Sequence, residues 1–228
     1  MSIRSKPPRL SVNKLGEYMT AKASRQNKIL FDAKHPQDFI VAFYKDAAEA
    51  ISKAIVDGLQ DTAHLDKAIK LLGVRNPKSV HESRLINGNI DAIETFIDMM
   101  GDIDLTGIEA RLGSHQAMPI VVHGVNISVR PEVTLHSKKR SGEKLVGGVK
   151  LHFPKAFPLN EDAGEYISTC LQLHCRDHLA EHGAASHTHC YVIDMAGAKV
   201  LTGVKAIKSR TRDVEETCKQ IATIWPTI

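Results

Sequence analysis

The sequence predicts a mixed α/β protein in which a helical N-terminal part, residues 1–117, precedes a mixed sheet flanked by helices, residues 118–228. Two observations support this fold class. Before about residue 118 apolar residues recur every three or four positions, as on a helix, and after it they alternate, as on a strand. There is no internal repeat and no low-complexity linker, so we expect a single domain over residues 1–228.

The N-terminal part is predicted to be a series of helices. Ser11 is expected to cap a helix that runs to about Thr20, and Ser24 another that runs to Asp32. Pro36 suits the first turn of a long helix ending near Val56. The expected buried residues of that helix are Phe39, Ile40, Phe43, Ala47, Ala50, Ile51 and Ala54. Further helices are predicted at 61–72 and 78–100, and residues 101–117 are ambiguous, with a further helical turn as one reading.

The second part is predicted to begin with strands. Residues 118–136 are read as one long strand or as two strands broken at Gly124, and residues 145–153 as the next strand. In 127–135 and 145–153 most of the odd-numbered residues are apolar, and KKRSGEK between them is typical of a hairpin loop. A turn centred near Arg140 places Glu132 opposite Gly148, with Lys150 as a diagonal neighbour of Glu132.

The remaining elements complete the expected sheet. Asn160 is expected to cap a helix that runs to about 182, where Gly183 ends it. HTHCYVIDM and AKVLTGVKA are predicted to form a hairpin across Ala196-Gly197. DVEETCKQIATIW is predicted to be the closing helix.

Composition excludes several protein classes. No apolar run approaches the roughly 20 residues that cross a bilayer, and the basic N-terminus lacks the apolar centre of a secretion signal. Four cysteines in 228 residues do not indicate a disulfide framework. We therefore expect a cytoplasmic protein with reduced thiols and no membrane partner. The formal net charge is +4, with seven basic residues and one acid in residues 1–30.

The order of strand, hairpin, strand, helix and strand resembles the core of the PD-(D/E)XK nuclease superfamily, whose fold is that of restriction endonucleases. RPEV at 130–133 resembles the Pro-Asp motif of that family, with Glu132 in place of aspartate. GVKL at 148–151 resembles the (D/E)-x-Lys motif, with Lys150 present and Gly148 where the acid is expected. LSVNKLGEYM resembles the phrase that begins many Cas4- and RecB-like members. The core resemblance covers about residues 118–195.

The resemblance implies a metal-dependent nuclease acting on DNA, in phage defence, repair or a mobile element. Glu132 and the carbonyl of Val149 would be metal ligands for Mg²⁺ or Mn²⁺, and Lys150 would act with Glu132 as a catalytic residue by orienting the attacking water. Gly148 leaves two explanations open. Either the second acid comes from elsewhere, or the site is inactive. The candidate relocated acids are Glu82, Glu94, Glu109 and Glu165.

Three functions follow from these observations: an active nuclease, an inactive member of the same fold that binds nucleic acid, or a homo-oligomeric assembly protein. For the first two, basic residues are the expected phosphate contacts. They are Arg9, Lys14, Arg25, Lys138, Lys139 and Arg140. For the third, helices at 37–57 and 78–100 would be the interface. A surface ion pair between Glu132 and Lys150 is the alternative to a catalytic site.

A histidine- and cysteine-rich segment, residues 174–190, is the remaining candidate. His174, His178 and His182 are spaced to stack on one helix face, where they would offer nitrogen ligands for a structural Zn²⁺. The order of ligands matches no zinc motif, and histidines near a helix C-terminus also suit the helix dipole. Cys170, Cys190 and Cys218 are read as small core residues.

Overall fold

The protein is mixed α/β, as the sequence predicts. A computed structural model describes residues 7–36 and 43–228. A five-stranded mixed sheet has the order β2-β5-β6-β7-β8, and a three-stranded sheet has the order β1-β4-β3. The strands are β1 Arg9–Ser11, β2 Glu109–Leu112, β3 Ile120–Val122, β4 Val125–Ser128, β5 Val133–Lys138, β6 Lys144–His152, β7 Ala184–Asp194 and β8 Lys199–Thr202.

The helices lie close to their predicted positions. They are α1 Val12–Thr20, α2 Ala23–Lys34, α3 Lys45–Val56, α4 Ala63–Gly73, α5 Val80–Met99, α6 Glu161–His178 and α7 Lys208–Ile224. Ser11 caps α1 by accepting from the Lys14 N–H at 3.2 Å, which confirms that prediction. Ser24, in contrast, lies inside α2, which begins after Lys22.

The predicted long helix from Pro36 needs correction. Within the described residues it begins only at Lys45, after a turn at Phe43 and Tyr44, and the predicted positions Phe39 and Ile40 lie outside them. Asn89 on α5 explains where α3 starts. Its side chain accepts from the Ala47 N–H at 2.8 Å and donates to the Phe43 carbonyl at 2.7 Å, so a buried amide takes the place of a local cap.

The predicted strand over 127–135 is broken, which is the main correction to the sheet. Ile127 and Val129 pack in one hydrophobic core and Val133 and Leu135 in another. Arg130 has a left-handed backbone, φ 44°, and Pro131 follows it, so the chain leaves β4 in the small sheet and enters β5 in the large one. The hairpin itself is confirmed, because β5 pairs antiparallel with β6 from Val133↔Val149 to Lys138↔Lys144.

Helix α6 connects β6 to the parallel strand β7 and lies on one face of the large sheet. Helix α1 packs closely on α6, where a Cβ at Gly16 would come within 2.7 Å of Ile167. These helices, with α2 and α7, cover the core that contains Val146 and Val192. Helices α3, α4 and α5 cover the opposite face. The face of β6 predicted to be polar is therefore buried.

Two short strands lie inside the part predicted to be helical. β1 pairs with β4, and β2 pairs with β5 at the edge of the large sheet. In β2 only Ala110 is half-buried, so the strand has no alternating pattern that a sequence reading could find. Among the described helices, none has the length and apolar character needed to cross a membrane.

Candidate functional site

Glu132 and Lys150 meet at one end of the large sheet. Lys150 Nζ lies 2.5 Å from Glu132 Oε1 and donates a second hydrogen bond to the Arg130 carbonyl at 3.0 Å. The other carboxylate oxygen of Glu132 accepts from the Leu151 N–H at 2.8 Å. Lys150 is buried, with 10% of its side chain exposed, and Glu132 retains 24%. Each carboxylate oxygen of Glu132 therefore accepts one hydrogen bond from the protein itself.

The register of the hairpin differs from the predicted one. Thr134, rather than Glu132, lies opposite Gly148, so the turn is centred one residue later than Arg140. Just beyond this ladder the Glu132 N–H donates to the Val149 carbonyl at 2.9 Å, which holds Glu132 beside Lys150. The predicted meeting of the two charges is correct, but the predicted juxtaposition of Glu132 and Gly148 is wrong.

The space where the family pattern expects an acid is filled. A Cβ added at Gly148 would lie 3.1 Å from both the Pro131 Cβ and the Val133 carbonyl oxygen, and 3.4 Å from Leu171 Cδ1. Leu171 comes from α6, which covers this face. A carboxylate at position 148 would thus be forced between an apolar helix and the backbone of β5, where its desolvation would be costly.

The four acids considered as a relocated second metal ligand are either bound to other groups or exposed on a helix. Glu82 accepts from the Lys78 N–H at the start of α5, Glu109 pairs with Arg111, and Glu165 pairs with Arg210. Glu94 is exposed on α5. Among the residues that the structure describes, no group of three His, Cys, Asp or Glu side chains could hold a metal ion. Glu132 is thus not joined to two further acidic or ligating side chains in any such group among the described residues.

Helix α1 brings polar residues to this end of the sheet that the sequence analysis did not single out. Asn13 donates to the Leu151 carbonyl at 3.0 Å. Glu17 is buried and is held by Lys14 at 2.6 Å and by Arg25 at 2.5 Å. Burial would raise the pKa of the Glu17 carboxyl, but the hydrogen bonds from Lys14 and Arg25 outweigh it and hold the pKa below its usual value.

His152 is another buried polar residue here. Burial lowers the pKa of its ring, which keeps it neutral, and its Nε2 lies 2.8 Å from the Phe157 carbonyl. A carbonyl only accepts, so Nε2 carries the proton. Nδ1 is then a buried acceptor with no partner among the described residues. Asn13 and Glu17 belong to the LSVNKLGEYM segment, and Leu151 and His152 belong to GVKLH. The sequence does not show that these two segments meet, because their contact depends on how α1 packs.

The predicted nucleic-acid-binding residues fall into two separate groups. Lys14 and Arg25 are engaged by Glu17, and Arg9 is exposed on β1. Lys138, Lys139 and Arg140 are exposed at the hairpin turn. Lys150 lies six residue steps along β6 from Lys144, which is beside that turn, and this is a span of about 20 Å. The basic turn and the Glu132–Lys150 pair thus lie at opposite ends of one hairpin.

The predicted histidine stack is interrupted. α6 ends at His178, and His182 lies in a following 3-10 turn, where its ring is 5.4 Å from that of His136. The rings of His174 and His178 are 5.0 Å apart, and burial lowers the pKa of His174 to about 4. All four cysteines are free and buried, in agreement with the prediction of small core residues at Cys170, Cys190 and Cys218.

No protein-family model matches this chain, and no curated protein matches it significantly in sequence.

Proposed function

We propose that this protein is a non-catalytic nucleic-acid-binding protein built on a nuclease-like sheet. The observation that supports it best is the closed state of the Glu132–Lys150 site. Both oxygens of Glu132 are bound within the protein, and Pro131 and Leu171 fill the space beside Gly148. In this proposal the ion pair fixes the junction of β5 and β6, and the resemblance to nucleases reflects fold rather than activity.

The exposed hairpin turn supports the binding half of the proposal. Lys138 and Arg140 form no ion pair among the described residues, and they lie where β5 and β6 of the five-stranded sheet turn into each other. Free cations on a fixed loop are suited to phosphate contacts. The proposed setting is the cytoplasm, with the cysteines as thiols.

The test is equilibrium binding of labelled DNA and RNA to the purified protein, together with an assay for cleavage in Mg²⁺ and Mn²⁺. Lys138→Glu with Arg140→Glu is expected to weaken binding more than tenfold at about 100 mM salt and to reduce the salt slope by about two. Lys67→Glu with Lys70→Glu, on the exposed face of α4, is the matched control. Unchanged affinity of the turn variant, or metal-dependent cleavage by wild type, would contradict the proposal.

A metal-dependent nuclease is the second candidate, and the buried Glu17 favours it. Glu17 lies on a helix that contacts β6 through Asn13, and its charge acts on His152. It is therefore an acid supplied from a neighbouring helix, as a relocated ligand would be. In this candidate Mg²⁺ or Mn²⁺ would compete with Lys14, Arg25 and Lys150 for the two carboxylates. It predicts cleavage that chelator stops and that Glu17→Gln and Glu132→Gln each abolish.

Assembly through the predicted helices at 37–57 and 78–100 has less support. In the described part of these segments, Ile51 and Ile55 of α3 and Ile93 and Phe96 of α5 are buried in the core beside the sheet. Those apolar faces are used inside the fold. A homo-oligomer would need another surface.

A further inference from the structure

A bulge interrupts the pairing of the two central strands near the hairpin turn. Val146 pairs with Ala185 and Gly148 pairs with Cys190, so residues 186–189 of β7 lie opposite the single residue Gly147. A Cβ at Gly147 would overlap the His189 carbonyl, so only glycine fits there. Bulges sacrifice ladder hydrogen bonds and often re-aim side chains at functional sites.

The bulge presents histidines beside the basic turn. His189 Nε2 lies 2.7 Å from Ser137 Oγ, and its Nδ1 lies 3.0 Å from Thr188 Oγ1. His187 and Thr188 line a groove with Ser137 and Lys138. A second groove shares Ser137 and Lys138 and continues to His136 and His182. We call the two together the histidine groove, defined by His136, His182, His187 and His189 around Lys138.

The histidine groove is close to electrically balanced while its histidines are neutral. The cations that line it are Arg111, Lys138, Lys144 and Lys205. The carboxylates that line it are Asp104, Glu109 and Glu181. Glu109 pairs with Arg111 at 2.7 Å, and Glu181 lies 3.4 Å from His182. Protonation of the four histidines would change its net charge from +1 to +5.

The surroundings hold two of these rings neutral near pH 7. Burial lowers the pKa of His136, and nearby Arg111 and His182 lower it further against the opposing charge of Glu109. Burial also lowers the pKa of His189, with His187 adding to the effect. A bound phosphate would favour the charged rings and raise these pKa values. Binding would then take up protons, so it would strengthen as the pH falls.

We propose that the histidine groove is a phosphate-binding surface of the nucleic-acid interface, and that protonation of its histidines strengthens binding below neutral pH. The proposal rests on the proposed function and adds to it the ligand group and its regulation. The groove continues from the exposed turn, so one phosphate backbone would contact Lys138 and Arg140 first and the histidines next. Each protonated histidine that contacts a phosphate displaces one more counterion.

The test measures fluorescence anisotropy of DNA and RNA carrying a pH-insensitive dye at pH 7.5 and pH 5.5. Wild type is expected to bind on the order of tenfold more tightly at pH 5.5, with a steeper salt dependence. His136→Gln with His182→Gln is expected to remove most of this gain, and His187→Gln part of it. His64→Gln with His115→Gln, outside the groove, is the matched control and should keep the gain. Circular dichroism checks that each variant is folded.

The outcomes separate this inference from the proposed function. No nucleic-acid binding at either pH overturns both. Binding that does not change with pH, or a pH gain that survives in the groove variants, overturns the histidine groove alone. An equal gain with polyglutamate, which is anionic but has no phosphate, overturns the assignment of phosphate as the ligand. A gain confined to nucleic acid and lost in the groove variants supports the proposal.

Discussion

The two ends of the β5–β6 hairpin contain charged residues in opposite situations. At the Glu132 end the carboxylate and the ammonium of Lys150 pair with each other, and the Leu151 N–H and the Arg130 carbonyl make further hydrogen bonds to them. At the turn end Lys138 and Arg140 face solvent beside the histidine groove. Burial lowers the pKa of His136 and His189 in that groove, so these two rings bear no charge at neutral pH. The first end can stabilise the fold, and the second is free to bind a ligand.

The comparison shows that residue type alone does not identify a site. Glu132 and Lys150 are residue types that nuclease sites use, but in this fold each carboxylate oxygen of Glu132 accepts a hydrogen bond from the protein, so a metal ion would compete with Lys150 and the Leu151 N–H for them. The turn has no catalytic motif, but its cations are available. Availability depends on neighbours, which a short motif does not report.

We call the Glu132 end of the β5–β6 hairpin the closed end and the turn end the open end. Gly148→Glu should have the largest effect of any change at the closed end. Its Cβ alone would already press on Pro131, Val133 and Leu171, and the charged remainder of the side chain would have to be accommodated in this packed region. We expect a loss of more than about 4 kcal/mol in the free energy of unfolding and no gain of metal-dependent cleavage. Urea denaturation and a cleavage assay measure both, and Gly148→Ala, with a loss of about 1–2 kcal/mol, separates the clash from the charge.

A stable, folded Gly148→Glu protein that cleaves DNA with Mg²⁺ would show that the space can open. The closed end would then be a metal site that has lost one ligand. That result would remove the contrast between the two ends of the hairpin.

Lys150→Met should have the next largest effect. The methionine keeps the aliphatic packing but leaves Glu132 without its cation and the Arg130 carbonyl without its donor. Because Glu132 is partly exposed, water compensates in part, and we expect a loss of about 2–3 kcal/mol rather than the 3–5 of a fully buried pair. Thermal or urea unfolding measures it.

The matched variant for this test is Glu132→Gln with Lys150→Met. It should regain part of the stability, because the unpaired carboxylate is gone. If Lys150→Met unfolds like wild type, the ion pair has no structural role and the catalytic reading gains support.

Sequence patterns found the hairpin because the buried alternation of Val133, Leu135, Val149 and Leu151 is strong. They missed the break before it, since the left-handed backbone of Arg130 has no hydropathy signature. They also missed the closure of the site, which depends on Leu171 packing over Gly148 from another element. The motif supplied the pair Glu132–Lys150, but the further hydrogen bond from the Leu151 N–H to Glu132 is a property of the folded chain.

Glu17 gives a smaller, pH-dependent test at the closed end. The pKa of this buried carboxyl is lowered in the folded protein, so its contribution is present above the unfolded value of about 4.5 and is lost as the pH falls through the folded value. Glu17→Gln should cost about 1–2 kcal/mol at pH 7 and less below pH 4. Unfolding measured across this range should therefore show the two proteins converging in acid.

Asp32→Asn is the control, because it removes an exposed pair with Lys28 on α2. It should change stability little at any pH. A constant difference between Glu17→Gln and wild type down to pH 3 would mean that the ionised form of Glu17 is not what stabilises the fold.

Glu143→Gln should have the smallest effect on stability and should act at the open end. Glu143 pairs with Lys139 at 2.8 Å, but about half of each side chain is exposed. The turn is held by its backbone, where Lys139 N–H donates to the Glu143 carbonyl and Gly142, at φ 91°, completes the bend. We therefore expect a stability change within about 0.5 kcal/mol.

Binding should respond to Glu143→Gln although stability does not. The substitution frees Lys139 and removes a negative charge beside Lys138, so affinity for nucleic acid should rise about two- to threefold at low salt and less at high salt. Glu216→Gln is the matched control, since it removes a similar exposed pair with Lys219 on α7. Equal tightening by both variants would reflect net charge alone, whereas tightening by Glu143→Gln only would locate the phosphate contacts at the open end of the hairpin.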